Sequence, residues 1–144
     1  MVTEQWNWTQ RPLKHLARVL IVDDYRGAAV ATAECLSLEG IHTRVAGGCA
    51  EALEIVRHWV PDVILLDLMM PQRDGFDTAR AIRESAAASG AFICAYTAKH
   101  DGFITRSPDS ALFDGYFRKG ASPERLVAFL RHLSFSDSKA VEAH

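Results

Sequence analysis

The sequence predicts an α/β domain built on a parallel sheet. Short aliphatic runs alternate with longer stretches of helical spacing along most of the 144 residues. The first and third runs, "RVLIVD" (18–23) and "DVILLD" (62–67), are almost wholly apolar, as expected of strands covered on both faces. Gly40, Gly90 and Gly115 fall where helices stop or strands begin.

The elements follow in order. Five strand-like runs are "RVLIVD" (18–23), "IHTRVA" (41–46), "DVILLD" (62–67), "AFICAY" (91–96) and "GYFRK" (115–119), and five helices alternate with them. After the second run, Ala52, Ile55, Val56 and Trp59 mark one helical face. Phe76, Ala79 and Ile82 mark another. The fourth helix is weakly written, because "KHDGFITRSPDSALF" contains Gly102 and Pro108 and predicts a short, bent or mobile element. The last helix has a clear start, with Ser122 as N-cap and Pro123 in the first turn. Its apolar face is Leu126, Phe129, Leu130 and Leu133. The domain spans 18–134, with an extension over 1–17 and a polar tail over 135–144 that is expected to fray. The extension carries Trp6 and Trp8, which suit covering a sheet edge or dimerising as well as a plain leader.

Composition narrows the function. The length suits one domain, and 49% hydrophobic with 24% charged residues is ordinary for a globular protein. A formal charge of −2 argues against nucleic-acid binding through a general basic surface. No run reaches the roughly 20 apolar residues of a membrane span, and the N-terminus lacks a secretory pattern. Cys35, Cys49 and Cys94 are far apart and form no zinc-type cluster. Cys94 lies in an apolar run and reads as a buried reduced thiol, so a cytoplasmic location is expected.

In a right-handed parallel sheet, all strand carboxyl ends lie along one edge, where ligands bind. The first run ends in Asp23-Asp24, the third in Asp67, the fourth at Thr97 and the fifth at Lys119. Taken singly, each has a bland reading: a helix cap, a turn former, a strand threonine, a surface lysine. Gathered at one edge, three carboxylates repel one another, and a hard divalent cation relieves that repulsion. With a hydroxyl and an ammonium beside them, the set suits a phosphoryl group.

The pattern resembles the receiver domain of two-component response regulators. The matching residues are the acidic pair in "LIVDDY", the motif "LLDLMMPQRDGFD", the hydroxyl in "AYTAK" and the lysine in "YFRKG". The resemblance covers about 18–134. It implies a flavodoxin-like (βα)5 fold with strand order 2-1-3-4-5. It implies Asp67 as phosphoacceptor, served by a histidine kinase or phosphotransfer protein. It implies Mg2+, with Mn2+ as a substitute, held by Asp24, by Asp23 through water, by Asp67 and by the Met69 carbonyl. Thr97 and Lys119 would bind phosphoryl oxygens. Thr97 and Tyr116 would form a switch that changes the surface of helix four, strand five and helix five for a downstream protein. Pro71 and Gly75 would shape the loop after the acceptor, with Gly75 supplying backbone freedom.

One departure stands out. The family usually has a cis-linked proline after the lysine, and here Gly120 follows Lys119. That keeps a non-phosphorylated scaffold module open as an alternative. A Mg2+-dependent aspartyl phosphatase is a further alternative, although its D-x-D pattern is missing from the first strand. No glycine-rich dinucleotide fingerprint or P-loop is present. The resemblance fits a stand-alone regulator or a receiver from a hybrid kinase, without direct nucleic-acid binding and with a homodimer as an open possibility.

Overall fold

The computed structural model describes residues 8–9, 13–70, 74–98, 102–120 and 122–143, with Trp8 and 135–143 described as backbone only. In chain order the elements are β1 (Trp8–Thr9), β2 (Arg18–Val22), α1 (Arg26–Leu38), β3 (His42–Ala46), α2 (Cys49–Val56), β4 (Val63–Leu66), α3 (Gly75–Glu84), β5 (Phe92–Thr97), α4 (Gly102–Thr105), a 3-10 turn (Ser110–Leu112), β6 (Gly115–Arg118) and α5 (Pro123–Ala143).

The sheet runs β1-β6-β5-β4-β2-β3. Strands β2 to β6 run parallel to one another. Counted among themselves, they have the order 2-1-3-4-5 that the resemblance implies. The sheet holds one strand more than the sequence predicts. Within the extension, β1 pairs antiparallel with β6, with Trp8 opposite Tyr116 and Thr9 opposite Gly115. Two residues are too short to show alternation, so only tertiary pairing reveals this strand.

Period-two alternation sorts the core into two layers. Val19 and Ile21, Val63 and Leu65, Phe92 and Cys94, and Phe117 face α1 and α5. Leu20 and Val22, Ile64 and Leu66, Ile93 and Ala95, and Tyr116 face α2, α3 and α4. Each fully buried aliphatic side chain contributes roughly 1.5–3 kcal/mol, so the sheet is anchored on both faces. Leu13, from the extension, is also buried in the α1/α5 layer.

Local chemistry explains the boundaries. Helix α1 ends as the Gly40 backbone turns to φ +83°, a left-handed stop. Helix α2 closes at Val56, and Trp59 packs beside it under the guanidinium groups of Arg18 and Arg44, 5.6 and 5.3 Å from its ring centre. Asp74 caps α3 by accepting the Asp77 N–H at 2.9 Å. Among the described residues, helix α4 spans the four residues Gly102–Thr105, in keeping with the weak element that Gly102 and Pro108 predict. All four apolar positions expected on α5 are buried, and its backbone stays helical through the polar tail to Ala143. Among the described residues, no helix is long and apolar enough to cross a membrane.

Candidate functional site

Sheet hydrogen bonding runs one residue past the strand ends and so fixes where the polar groups stand. The Asp23 N–H donates to Ala46 O at 3.0 Å, the Asp67 N–H to Val22 O at 3.0 Å, and the Lys119 N–H to Thr97 O at 2.8 Å. Continuing the alternation of β2 and β4, Asp23 and Asp67 follow Ile21 and Leu65 onto one face. Carboxylate oxygens of Asp23, Asp24 and Asp67 lie within 4.8 Å of one another. Asp23 and Asp67 are buried, at 2% and 8% exposure, while Asp24 is open to solvent.

A lysine answers them. Lys119 Nζ lies 2.5 Å from Asp23 Oδ2 and 3.5 Å from Asp67 Oδ2. The ammonium also stands 5.3 Å from the centre of the Tyr96 ring. Tyr96 was not singled out by sequence reasoning, although its place before Thr97 and beside the lysine's strand is the signal. Backbone donors hold the acids as well: Tyr25 N–H to Asp23 Oδ1 at 2.9 Å and Met69 N–H to Asp67 Oδ1 at 3.1 Å. Asp23 thus shapes the turn before α1, but among the described residues no side chain caps that helix. The Met69 side chain is half exposed.

The electrostatics are strained in one direction. Burial pushes the Asp67 carboxyl above its ordinary range and Asp23 adds to the rise, against the Met69 N–H and Lys119, which pull it down. Burial by itself depresses Lys119, but its hydrogen bond to Asp23 and the charges of Asp67 and Asp23 outweigh this and raise it. One ammonium against three carboxylates leaves two negative charges uncompensated when all are ionised. An all-oxygen donor set with excess negative charge fits a hard divalent cation.

Thr97 is fully buried at the carboxyl end of β5. Alternation places it on the α2/α3/α4 side with Ala95, which stands opposite Tyr116. Tyr116 is itself fully buried, with no exposed ring face. From the sequence, Gly75 is expected to supply backbone freedom, and the structure gives a different reason for it. Gly75 has no positive φ, and a Cβ there would lie 2.6 Å from Leu68 Cα and 2.7 Å from Asp67 O. The residue is glycine because the start of α3 presses against the backbone of the Asp67 loop. Gly120 takes φ +107°, with open space to 4 Å around the point where a Cβ would stand, and the described peptides are trans. Pro71 lies outside the described residues.

The comparisons agree with this arrangement. The family model for the response regulator receiver domain matches residues 19–131. The DNA-binding response regulator MtrA of Mycolicibacterium paratuberculosis is 39% identical over 114 residues, covering 79% of this chain and 49% of the relative. Response regulator MprA of Mycobacterium sp. is 31% identical over 116 residues, covering 81% of this chain and 50% of the relative. The chain therefore spans about half the length of these curated relatives. Among solved structures, Vibrio cholerae chemotaxis protein CheY4 superposes with a TM-score of 0.75 at 25% identity, covering 83% of this chain and 99% of its own. Thermotoga maritima TrrA, solved with Mg2+ and beryllofluoride, gives 0.70 at 27% identity, covering 82% and 99%. With the two-layered parallel sheet and the acid-lysine cluster at its carboxyl edge, these matches establish that the chain belongs to the response regulator receiver domain family.

Proposed function

We propose that Asp67 accepts a phosphoryl group from a phosphohistidine on a histidine kinase or phosphotransfer protein. The observation that carries this reading is the gathering of Asp23, Asp24 and Asp67 within 4.8 Å beside Lys119 at one sheet edge. An Asp67 carboxylate oxygen attacks phosphorus as the P–N bond breaks. The bonding pair leaves on the imidazole nitrogen, which takes up a proton. Such transfer depends on positioning and on neutralising charge more than on covalent help.

Asp24, Asp23, Asp67 and the Met69 carbonyl would hold Mg2+ or Mn2+, and the ion supplies charge neutralisation at the phosphoryl oxygens when bound. Lys119 serves as the second positive centre, and Thr97 offers its hydroxyl to the same oxygens. Thr97 and Tyr116 then form the two-state element that alters the surface of α4, β6 and α5 for a downstream protein. In this reading the receiver unit is 18–134, flanked by the extension and tail, and it works in the cytoplasm through protein contacts without direct nucleic-acid binding.

Acetyl phosphate or beryllofluoride with Mg2+ tests the assignment by intact-mass spectrometry and titration. Wild type gains one Mg2+-dependent phosphoryl adduct, and Asp67→Asn gains none. An equal adduct on Asp67→Asn removes Asp67 from its role.

A further inference from the structure

Without β1, strand β6 would be the outer strand of the sheet, with one row of backbone groups open to water. The chain covers that edge itself. Trp8 stands directly opposite Tyr116 and Thr9 opposite Gly115. The Thr9 hydroxyl donates to Asp114 O at 3.3 Å. Asp114 is fixed in turn, since its carboxylate accepts the Ile93 N–H at 3.0 Å and pairs with Arg83 at 2.6 Å. Leu13, buried against the α5 side of the sheet, anchors the extension a few residues further along.

Tyr116 therefore belongs to two systems. Its backbone faces β1 across the sheet edge, and its side chain is fully buried in the layer that holds Ile104 and Phe113. An edge-strand ring has open space beyond its strand into which to turn. Here β1 runs along that edge, with Trp8 in register with Tyr116.

We propose that the Trp8–Thr9 strand is a latch on the receiver: when docked on β6 it favours the inward position of Tyr116 and so strengthens phosphoryl binding at Asp67. This rests on the phosphoacceptor reading above and extends it to the N-terminal segment. The path is short: β1 faces Tyr116, Tyr116 is opposite Ala95, and Thr97 is two residues on along the same face at the acceptor edge. A two-residue strand at the sheet edge is the shortest in the sheet, so local undocking there costs less than opening the inner strands. Coupling between two sites is reciprocal, so occupying the acceptor site also tightens β1 on β6.

The experiment compares beryllofluoride affinity, with Mg2+ present, for the full chain, a chain lacking residues 1–9, and full-length Thr9→Pro. Proline at position 9 disfavours strand pairing while leaving the length unchanged. Amide exchange over 115–118 is followed with and without beryllofluoride. The expected result is roughly fivefold or greater weakening in both variants, a typical coupling. Exchange over 115–118 is expected to slow on beryllofluoride addition more in the full chain than in Thr9→Pro. A cooperatively folded Thr9→Pro chain with unchanged or tighter affinity overturns the latch alone. Absence of beryllofluoride binding to the full chain overturns the phosphoacceptor reading, and the latch with it.

Discussion

Replacing Asp67 by asparagine is predicted to stabilise the metal-free protein and to destabilise it relative to wild type once Mg2+ saturates. At an effective dielectric of about 20, unit charges no more than 4.8 Å apart repel by about 3.5 kcal/mol or more. The same treatment gives Lys119, 3.5 Å from Asp67, an attraction of about 4.7 kcal/mol. Asp23 thus cancels most of what Lys119 offers, and Asp24, screened by water, takes away a little more. The loss of hydration at a side chain with 11% exposure is left uncompensated. This is why burial heads the causes of the raised carboxyl. Asparagine keeps an oxygen for the Met69 N–H and sheds the charge. The expected gain is about 1–2 kcal/mol, within the usual scale for buried charge effects after relaxation. It corresponds to a rise in Tm of about 3–6 °C for a chain of this size.

The pH dependence has a definite sign. An acid raised on folding is deprotonated more readily in the unfolded chain, so its contribution to stability falls as pH rises past the ordinary aspartate range. The advantage of Asp67→Asn is full above the raised folded value and vanishes below the unfolded one. Saturating Mg2+ reverses the ranking, since a ligand at a hundred times its Kd adds about 2.7 kcal/mol to the form that binds it. Urea unfolding at neutral and acidic pH, with EDTA and with Mg2+, measures all four corners. A metal-free Asp67→Asn protein less stable than wild type, or equal stabilisation of both by Mg2+, refutes the reasoning.

Three further outcomes are expected. Gly75→Ala drives a Cβ into the Leu68 and Asp67 backbone and should lower stability by about 1–3 kcal/mol, read as a lower urea midpoint; an unchanged midpoint would remove the close approach as the reason for glycine. Gly120→Ala meets open space, so its loss is conformational, about 1–2 kcal/mol; Gly120→Pro should lose more, because proline holds φ near −65° against the observed +107°, and thermal melts rank the three. Arg83→Ala strips the donor that serves Ser89 O, Ala91 O, Leu112 O and the Asp114 carboxylate, and should cost about 2–4 kcal/mol in chemical unfolding.

How much of this was legible follows from the range of each interaction. Asp23, Asp67 and Thr97 can be placed from sequence because their strands are written in short, largely apolar runs, Lys119 because it closes the fifth run, and a parallel sheet sends all strand ends to one edge. The brevity of α4 was legible in Gly102 and Pro108. Gly75 was visible as a glycine, but its reason is a distance to Leu68, which no local pattern encodes. Tyr96 under Lys119 and Trp59 under two arginines are contacts across elements. The strand at Trp8–Thr9 exists only because β6 is there to receive it. The Gly120 departure was legible as a residue, whereas its φ belongs to the folded loop.

The two core layers also explain why a single edge suits both chemistry and signalling. Asp23, Asp67, Tyr96 and Lys119 come from the α1/α5 side of the alternation, while Thr97 and Tyr116 come from the α2/α3/α4 side. Inside the sheet, backbone separates these sides, and a charge on one is remote from side chains on the other. At the carboxyl edge that separation ends: Asp23, Asp67 and Lys119 gather there, and Thr97 closes its strand beside them, its carbonyl bonded to the Lys119 N–H. In the proposed reading, a phosphoryl group on Asp67 meets the cation of one layer and the hydroxyl of the other. Lys119 already spans the charged half, through Asp23 and Asp67, and its own backbone N–H bonds the Thr97 carbonyl at 2.8 Å. In the same reading, a change in the charge at Asp67 bears directly on Lys119, one residue past the end of β6, and Tyr116 within β6 would be where the second layer responds.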